Sequence, residues 1–315
     1  MNSKIKLEIL SFVLIKKKSN AAINPINHIK VNCIMKISPI IETEDLLKIY
    51  KNSDILIFDV SNNKDAKINY EKEHLEGSYF VDINSQLADI QEDLSKGGRH
   101  PLPDITEFGN TLSKLGISKD SHIIVYDDKS GANAAARFWW MLKSVGHEKV
   151  QVLNGGLQAA KKYNFPMSSK TEVPEKTSEP YITDKWYLPR IEMNDIESKL
   201  GSADFLIVDV REKLRYHGKS EPIDPVAGHI PGAINIPFFE NLDENGLFLK
   251  PELIKNKYRA YFAKFKTENI AIHCGSGVTA CHSLLALDYA GMELPNLYVG
   301  SWSEWCRNGK QIGKS

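Results

Sequence analysis

Residues 273–279, with the sequence His-Cys-Gly-Ser-Gly-Val-Thr, join an apolar run to a helical pattern. The run predicts a strand that ends at His273, and a helix is predicted from about Val278, so Cys274 opens the loop between them. Backbone N–H groups at a helix N-terminus attract anions, and glycines let a loop curl around one without a Cβ in the way. The thiolate is the reactive form of cysteine, and such a loop favours it. We therefore predict that Cys274 is a nucleophile.

The elements that must position this loop occur in two copies, about 150 residues apart. Residues 55–60 resemble residues 205–210, and residues 122–127 resemble residues 269–274. In each copy, short and continuous apolar runs alternate with helical patterns, which is typical of parallel sheets buried on both faces. We therefore predict an α/β fold of two tandem copies, each with a central, mostly parallel sheet and helices on both faces.

The two copies differ at the position of the thiol. Alignment of residues 126–131 with residues 273–277 places Asp127 opposite Cys274. A carboxylate cannot carry a sulfur atom, so we predict that the first copy is catalytically silent and forms one wall of the site. Ligand sites in α/β proteins lie at the carboxyl ends of strands and commonly between domains.

The repeat also sets the expected domain boundaries. We expect a silent domain at residues 35–165, a linker at residues 166–184 and a catalytic domain at residues 185–315. The linker is rich in Ser, Thr, Lys, Glu and Pro, and an ordered strap across the surface is the alternative. Residues 1–34 form an extension, for which we expect a disordered tail or sequence upstream of a start at Met35, with a targeting segment as the alternative.

Composition narrows the class of protein further. The 315 residues carry 40 basic and 40 acidic side chains, which gives no electrostatic case for a nucleic-acid partner. The four cysteines lack the spacing of a disulfide framework, which indicates reduced thiols, so we expect a cytoplasmic protein. The sequence has no C-x-x-C pair, so we expect no structural zinc site. The apolar run at residues 9–15 is too short to cross a membrane. We expect a monomer.

Four motifs carry a resemblance to a known family. They are Asp-Val-Arg at 209–211, Gly-His-Ile-Pro-Gly-Ala-Ile-Asn-Ile-Pro at 228–237, the loop at 274–279, and Gly-Ser-Trp-Ser-Glu-Trp at 300–305. Together they resemble the tandem rhodanese-type sulfurtransferases, which use 3-mercaptopyruvate or thiosulfate, over about residues 40–312. The resemblance implies a cycle in which the cysteine takes sulfur from a donor as a persulfide. The persulfide then passes it to cyanide or a thiol, with a thioredoxin-like reductant as one such acceptor.

The resemblance also implies roles for particular residues. Arg215 matches the arginine that grips the donor's carboxylate or sulfonate, and Ser276 matches the hydroxyl that polarises the carbonyl of mercaptopyruvate. His100 matches a histidine that reaches across from the first domain. The acidic partner of that histidine falls at Asn84 here, with Asp82 two residues earlier, which puts a full Ser–His–Asp relay in doubt. No metal or organic cofactor is needed, because the cysteine itself carries the sulfur. The N–H groups expected to hold the persulfide belong to Gly275, Ser276, Gly277, Val278 and Thr279.

The donor is the less determined part of the prediction. The thiosulfate type usually has basic residues after the cysteine, whereas Gly275 and Ser276 bring no charge, so we favour 3-mercaptopyruvate. Against this, the second substrate arginine of many mercaptopyruvate enzymes is missing from residues 221–228, and the surroundings of His100 resemble bacterial thiosulfate enzymes. Thiosulfate is therefore the alternative donor.

Other functions fit the sequence less well. A rhodanese-like binding module would not need the nucleophile. A cysteine phosphatase needs an arginine six residues after the cysteine, where this chain has Ala280. Residues 275–280 also fit a dinucleotide fingerprint, but the next strand, around residues 297–299, lacks the acidic end that would hold a ribose.

Overall fold

Two parallel sheets, one in each copy of the repeat, form the centre of the structure, which is a computed structural model describing residues 37–175, 177 and 179–314. The predicted extension, residues 1–34, lies outside the described residues, as does Cys33. The predicted α/β fold of two tandem copies is confirmed. Among the described residues, no helix is long and apolar enough to cross a membrane.

The helices and strands follow the predicted alternation. The first copy contains β1 (Ile40–Ile41), α1 (Thr43–Ile49), β2 (Ile55–Asp59), α2 (Ala66–Lys72), β3 (His74–Leu75), β4 (Ser78–Phe80), α3 (Ile83–Gln86), α4 (Ile105–Lys114), β5 (His122–Tyr126), α5 (Ala134–Ser144), β6 (Val150–Leu153), α6 (Gly156–Lys162) and β7 (Met167–Ser168). The second copy contains α7 (Met193–Ser198), β8 (Leu206–Asp209), α8 (Lys213–Tyr216), β9 (Ile234–Asn235), α9 (Pro251–Phe262), β10 (Ile270–His273), α10 (Thr279–Tyr289), β11 (Asn296–Leu297) and α11 (Ser301–Trp305), with 3₁₀ turns at Phe238–Asn241 and Thr267–Asn269.

Equivalent strands have the same order in the two sheets, and the sheet of the first copy has β1 as an additional edge strand. In the first copy the order is β1-β6-β5-β2-β4, and in the second it is β11-β10-β8-β9, with parallel neighbours throughout. Strands β5 and β10 therefore occupy equivalent central positions. Each is buried along nearly all of its length, which explains the continuous apolar runs in the sequence.

The two copies join through their central helices. Helix α5 packs against helix α10, and nearly every residue of both is buried. Each helix covers its own sheet with one face and meets the other copy with the opposite face, so neither can have a polar side. One hydrophobic core consequently runs through both copies.

A tyrosine–histidine pair recurs at matching positions of the repeat. The ring of His74 stacks on Tyr70 with centroids 3.9 Å apart, and the ring of His229 stacks on Tyr216 at 4.0 Å. In each pair the histidine Nδ1 lies within hydrogen-bond distance of the tyrosine's carbonyl oxygen, at 2.6 and 2.8 Å. These contacts give both histidines a structural role and make Tyr70 and His74 the counterparts of Tyr216 and His229.

Much of the segment at residues 166–184 lies against the first copy. Strand β7 pairs with β3 in antiparallel fashion, and the buried Tyr181 donates its backbone N–H to Ser113 Oγ at 2.8 Å. Thr183 Oγ1 donates to the carbonyl oxygen of Ile105 at 2.7 Å. These contacts match the ordered strap, which was the alternative to a free linker.

Candidate active site

Cys274 follows β10 directly and is 1% exposed. Val278 is the N-cap of α10, so the predicted strand–loop–helix order is present. Gly277 has φ +72°, and a Cβ added there would lie 2.4 Å from the carbonyl oxygen of Val299. This position therefore accepts only glycine, for both conformational and steric reasons.

The closing motif at residues 300–305 holds the loop from behind. Ser301 Oγ accepts the N–H of Cys274 at 3.2 Å, and the N–H of Trp302 donates to the carbonyl oxygen of Cys274 at 3.0 Å. The N–H of Ser303 donates to the carbonyl oxygen of Gly275 at 2.8 Å. These bonds fix the backbone on both sides of the thiol.

The equivalent loop of the first copy closes on a carboxyl group. The carboxylate of Asp127 accepts four backbone N–H groups, at 2.8 to 3.1 Å, from Lys129, Gly131, Asn133 and Ala135. Gly131 has φ +72°, the same value as its counterpart Gly277. The first copy thus fills its own cup of N–H groups with a side chain, which leaves no room there for a sulfur anion.

His100 reaches across from the first copy to the loop of the second. Its Nδ1 lies 2.8 Å from Ser276 Oγ. Burial lowers the pKa of His100 to about 4, and the neighbouring charges of Arg99 and Arg137 act in the same direction. The imidazole is therefore neutral at physiological pH and carries a single N–H proton, on either Nδ1 or Nε2.

Asp82 does not complete a relay with His100. Its carboxylate caps α3, where it accepts the N–H groups of Asn84 and Ser85 at 2.7 and 3.0 Å. Ser276 and His100 therefore form a two-membered pair, consistent with the doubt raised by the sequence.

Arg137 joins the two copies beneath the site. It is fully buried, and its guanidinium donates to the carbonyl oxygen of Gly277 at 3.3 Å and to that of His100 at 3.2 Å. Burial lowers the pKa of Arg137, while the nearby thiols of Cys281 and Cys274 act in the opposite direction. A fixed cation thus lies behind the loop and favours negative charge in front of it.

Two arginines from different copies meet above Gly275. A Cβ added to this glycine would lie 3.0 Å from Nη2 of Arg99 and 3.3 Å from Nη2 of Arg215. Arg215 is held by Glu221 at 2.8 Å, and Arg99 is held by Asp224 at 3.1 Å. Arg215 was expected here, whereas Arg99 was not. In the sequence, the position of Arg99 next to His100 was the one feature that indicated a place in the site.

The loop that carries Arg99 is docked on α11. The N–H of Gly97 donates to the carboxylate of Glu304 at 2.9 Å, and the N–H of Arg99 donates to Ser303 Oγ at 3.1 Å. Gly98 has φ +76°, and a Cβ there would lie 2.3 Å from the same serine oxygen. A larger residue at this point would push the arginine away from the site.

The remaining charges of the site form a buried network. Arg211 pairs with Asp209 at 2.6 Å and with Glu221 at 3.1 Å. Although burial opposes ionisation of Asp209, His273 and Arg211 hold the pKa of this carboxyl below its usual range. Four guanidinium groups, those of Arg99, Arg211, Arg215 and Arg307, surround three buried carboxylates, those of Asp209, Glu221 and Asp224.

One cavity of about 760 Å³ brings these groups together between the copies. The predicted site residues that line it are His100, Arg215, Cys274, Gly275, Ser276, Val278 and Thr279. Gly277 shapes the loop instead of lining the cavity. Cys281 lies on α10, where its Sγ donates to the carbonyl oxygen of Gly277 and burial raises its pKa to about 12. That thiol is a poor nucleophile.

Comparisons with known proteins agree with this arrangement. The Rhodanese-like domain family matches residues 42–163 and again residues 192–308. A probable 3-mercaptopyruvate sulfurtransferase of Pseudomonas aeruginosa is 39% identical over 239 residues, which is 75% of this chain and 82% of that protein. A thiosulfate sulfurtransferase of Rattus norvegicus is 35% identical over 251 residues, which is 78% of this chain and 81% of that protein.

A solved structure shows the same architecture. The 3-mercaptopyruvate sulfotransferase SseA of Escherichia coli superposes with a TM-score of 0.70 at 27% identity, covering 85% of this chain and 100% of that one. The repeat, the cysteine loop and these matches lead to one conclusion. The chain belongs to the rhodanese family of sulfurtransferases and carries two rhodanese-like domains in tandem.

Proposed function

We propose that this sulfurtransferase takes sulfur from 3-mercaptopyruvate through a persulfide on Cys274. The observation that supports this donor most is the contact of 2.8 Å between Ser276 Oγ and His100 Nδ1. With the proton on Nδ1, His100 donates to Oγ, and the hydroxyl proton is free to bond a carbonyl oxygen. Mercaptopyruvate has such a carbonyl next to its CH₂–S group, whereas thiosulfate has none.

The chemistry follows from these contacts. The Cys274 thiolate attacks the donor's sulfur, an S–S bond forms, and the C–S bond breaks with its electron pair moving to the carbonyl oxygen. Ser276 donates a hydrogen bond to that oxygen while negative charge develops on the oxygen. A fixed donor stabilises the transition state most at this stage. The donor's thiol proton passes to the enolate carbon, so that pyruvate leaves and a persulfide anion stays. Cyanide or a thiolate then takes the outer sulfur and releases the Cys274 thiolate.

Arg99 and Arg215 are suited to hold the donor's carboxylate above the loop. Both guanidiniums lie next to Gly275, and each is anchored by a carboxylate that fixes its orientation. Charge-assisted bonds of this kind contribute roughly 1.5–3 kcal/mol. The domain boundaries that we propose, at residues 165 and 185, leave Arg99 in the first domain and Arg215 in the second.

Thiosulfate is a second candidate, and the presence of Arg99 favours it, since two guanidiniums match a dianion. The loop argues the other way, because Gly275 and Ser276 place no charge next to the thiol. A monoanionic keto acid therefore matches the loop better than a dianion does.

Donor preference tests the proposal. We expect kcat/KM with cyanide as acceptor to be at least about tenfold higher for 3-mercaptopyruvate than for thiosulfate. Ser276→Ala should lower the value for mercaptopyruvate by about tenfold to a hundredfold and leave that for thiosulfate within about threefold. A tenfold preference of the wild type for thiosulfate would reverse the choice of donor.

Acceptor and compartment belong to the same proposal. Three free cysteines, Cys274, Cys281 and Cys306, are buried in the described part of the chain, which fits a reducing cytoplasm. A monomer with a small-molecule or thioredoxin-like thiol as acceptor completes the proposal. Incubation of the persulfide form with cyanide, a free thiol and reduced thioredoxin separates these acceptors by rate.

A further inference from the structure

Ser301, the first residue of α11, has a backbone conformation that serine rarely adopts. Its φ is +54°, in the left-handed region that favours glycine, because a Cβ there comes too close to the backbone carbonyl oxygen that follows. The residue is also buried. A side chain held in this conformation lowers the stability of the fold, and such positions cluster where a function requires them.

The first copy has a glycine at the equivalent position. The N–H of the residue after Gly156 donates to the carbonyl oxygen of Asp127 at 3.0 Å, and the N–H of the residue after Ser301 donates to that of Cys274, also at 3.0 Å. Because Asp127 is the counterpart of Cys274, Gly156 is the counterpart of Ser301. Gly156 has φ +56°, and a Cβ added there would lie 2.4 Å from the carbonyl oxygen of Asp127. The catalytic copy therefore makes room for a side chain that the first copy excludes.

The hydroxyl of Ser301 bonds the residue that carries the thiol. Its Oγ donates to the carbonyl oxygen of Tyr298 at 2.9 Å and accepts the N–H of Cys274 at 3.2 Å. Since a hydroxyl has a single proton, the bond to Tyr298 fixes Oγ as an acceptor toward Cys274. Gly156 has no side chain to offer Asp127 such an acceptor. The strained serine and its hydrogen bond thus occur in the copy that has the thiol, and the unstrained glycine occurs in the copy that has a carboxylate.

We propose that Ser301 is a positioning residue for sulfur transfer, whose hydroxyl fixes the backbone of Cys274 so that Sγ stays in line with the donor's sulfur. The inference rests on the proposed role of Cys274 as the sulfur carrier. A nucleophile gains rate from being held near the geometry of attack, and a displacement of about 1 Å can lower the rate by about a hundredfold. The stability that is lost at Ser301 thereby serves the reaction.

Two substitutions separate the hydroxyl from the backbone strain. Ser301→Gly removes the hydroxyl and relieves the strain, whereas Ser301→Ala removes the hydroxyl and keeps the strain. We expect the glycine variant to have the higher melting temperature of the two. We expect both to form the persulfide equally slowly, at least about tenfold more slowly than the wild type at saturating donor, because neither offers an acceptor to Cys274.

Rapid quenching followed by mass spectrometry of the Cys274 peptide measures the rate of persulfide formation. The donor concentration that gives half of the maximal rate should stay within about threefold of the wild-type value, because Arg99 and Arg215 still hold the donor. The loss of rate should be the same with 3-mercaptopyruvate and with thiosulfate, since Ser301 acts on the nucleophile. Ser276→Ala, in contrast, is expected to affect one donor selectively.

Asn164→Gly is the matched control. Asn164 also has a left-handed backbone, with φ +55°, but it is exposed and does not line the cavity. We expect its rate of persulfide formation to stay within about twofold of the wild-type rate, because the change lies on the surface and away from the thiol.

Three results would overturn the inference while leaving Cys274 as the sulfur carrier. They are an unchanged rate in both variants of Ser301, rates that follow the melting temperatures with Ser301→Gly close to the wild type, and an equal loss in Asn164→Gly. If Ser301→Ala does not fold, Ser301→Gly decides alone, because a rate near that of the wild type without the hydroxyl contradicts the role. A wild-type persulfide on a peptide other than that of Cys274 would overturn the proposed sulfur carrier as well.

Discussion

His100 Nδ1 lies 2.8 Å from Ser276 Oγ, so a side chain of the first copy reaches the cysteine loop of the second copy. Burial lowers the pKa of this imidazole to about 4, so the ring is neutral at higher pH. An exposed histidine would instead gain its proton near pH 6.5. The contact therefore stays the same across the physiological pH range.

The first prediction concerns the pH dependence of this contact. Because His100 is neutral above about pH 4, the ratio of kcat/KM between wild type and His100→Gln should be constant from pH 5.5 to 8. The ratio should fall only as the pH approaches about 4, where protonation removes the wild type's advantage. Steady-state rates with 3-mercaptopyruvate as donor give this ratio at each pH. A ratio that titrates with a midpoint near 6.5 would show that the imidazole is not buried in solution.

The second prediction identifies the sulfur carrier. Cys274→Ser should abolish sulfur transfer, because its loop is the one that can hold a persulfide. Cys281→Ser should keep most of the activity, since that thiol is buried with its pKa raised to about 12. Mass spectrometry of the donor-treated protein should place one added sulfur on the Cys274 peptide. An active Cys274→Ser protein with the persulfide elsewhere contradicts the assignment.

The third prediction separates Arg99 from the network that holds it. Arg99→Gln should raise the donor KM by roughly tenfold or more, since one charge-assisted bond to the carboxylate is lost. Arg307→Gln is the matched control, because Arg307 also pairs with Asp224, at 2.8 Å, yet does not line the cavity. We expect its KM to change by less than about threefold. Equal effects of the two variants would mean that Arg99 acts only by holding Asp224.

The fourth prediction concerns the anion built into the silent copy. Asp127→Ala leaves four backbone N–H groups without their acceptor, so we expect a loss of about 3 kcal/mol in the free energy of unfolding. Asp128→Ala, next to it, removes one bond from Asn63 and should cost about 1 kcal/mol. Urea unfolding at pH 7.5 compares the two. If Asp127→Ala is no less stable than Asp128→Ala, the carboxylate does not organise the loop.

The sequence by itself determined the features that depend on local order along the chain. The strand–loop–helix unit around Cys274 could be predicted, because the apolar run, the two glycines and the helical pattern lie within about 20 residues of each other. The replacement of the cysteine by Asp127 in the first copy followed from the repeat, since equivalent sequences fold into equivalent units. Gly277 was identifiable for the same reason.

Only the tertiary structure decided which side chains of the first copy reach the site. Arg99 lies 176 positions before Gly275 in the chain, and its position depends on the docking of its loop on α11. The role of Arg137 became visible only through its two carbonyl partners, Gly277 and His100. Asp82 had a suitable type and place in the sequence, but it caps α3 instead. Side-chain direction across a domain boundary depends on packing, which residue type and spacing do not encode.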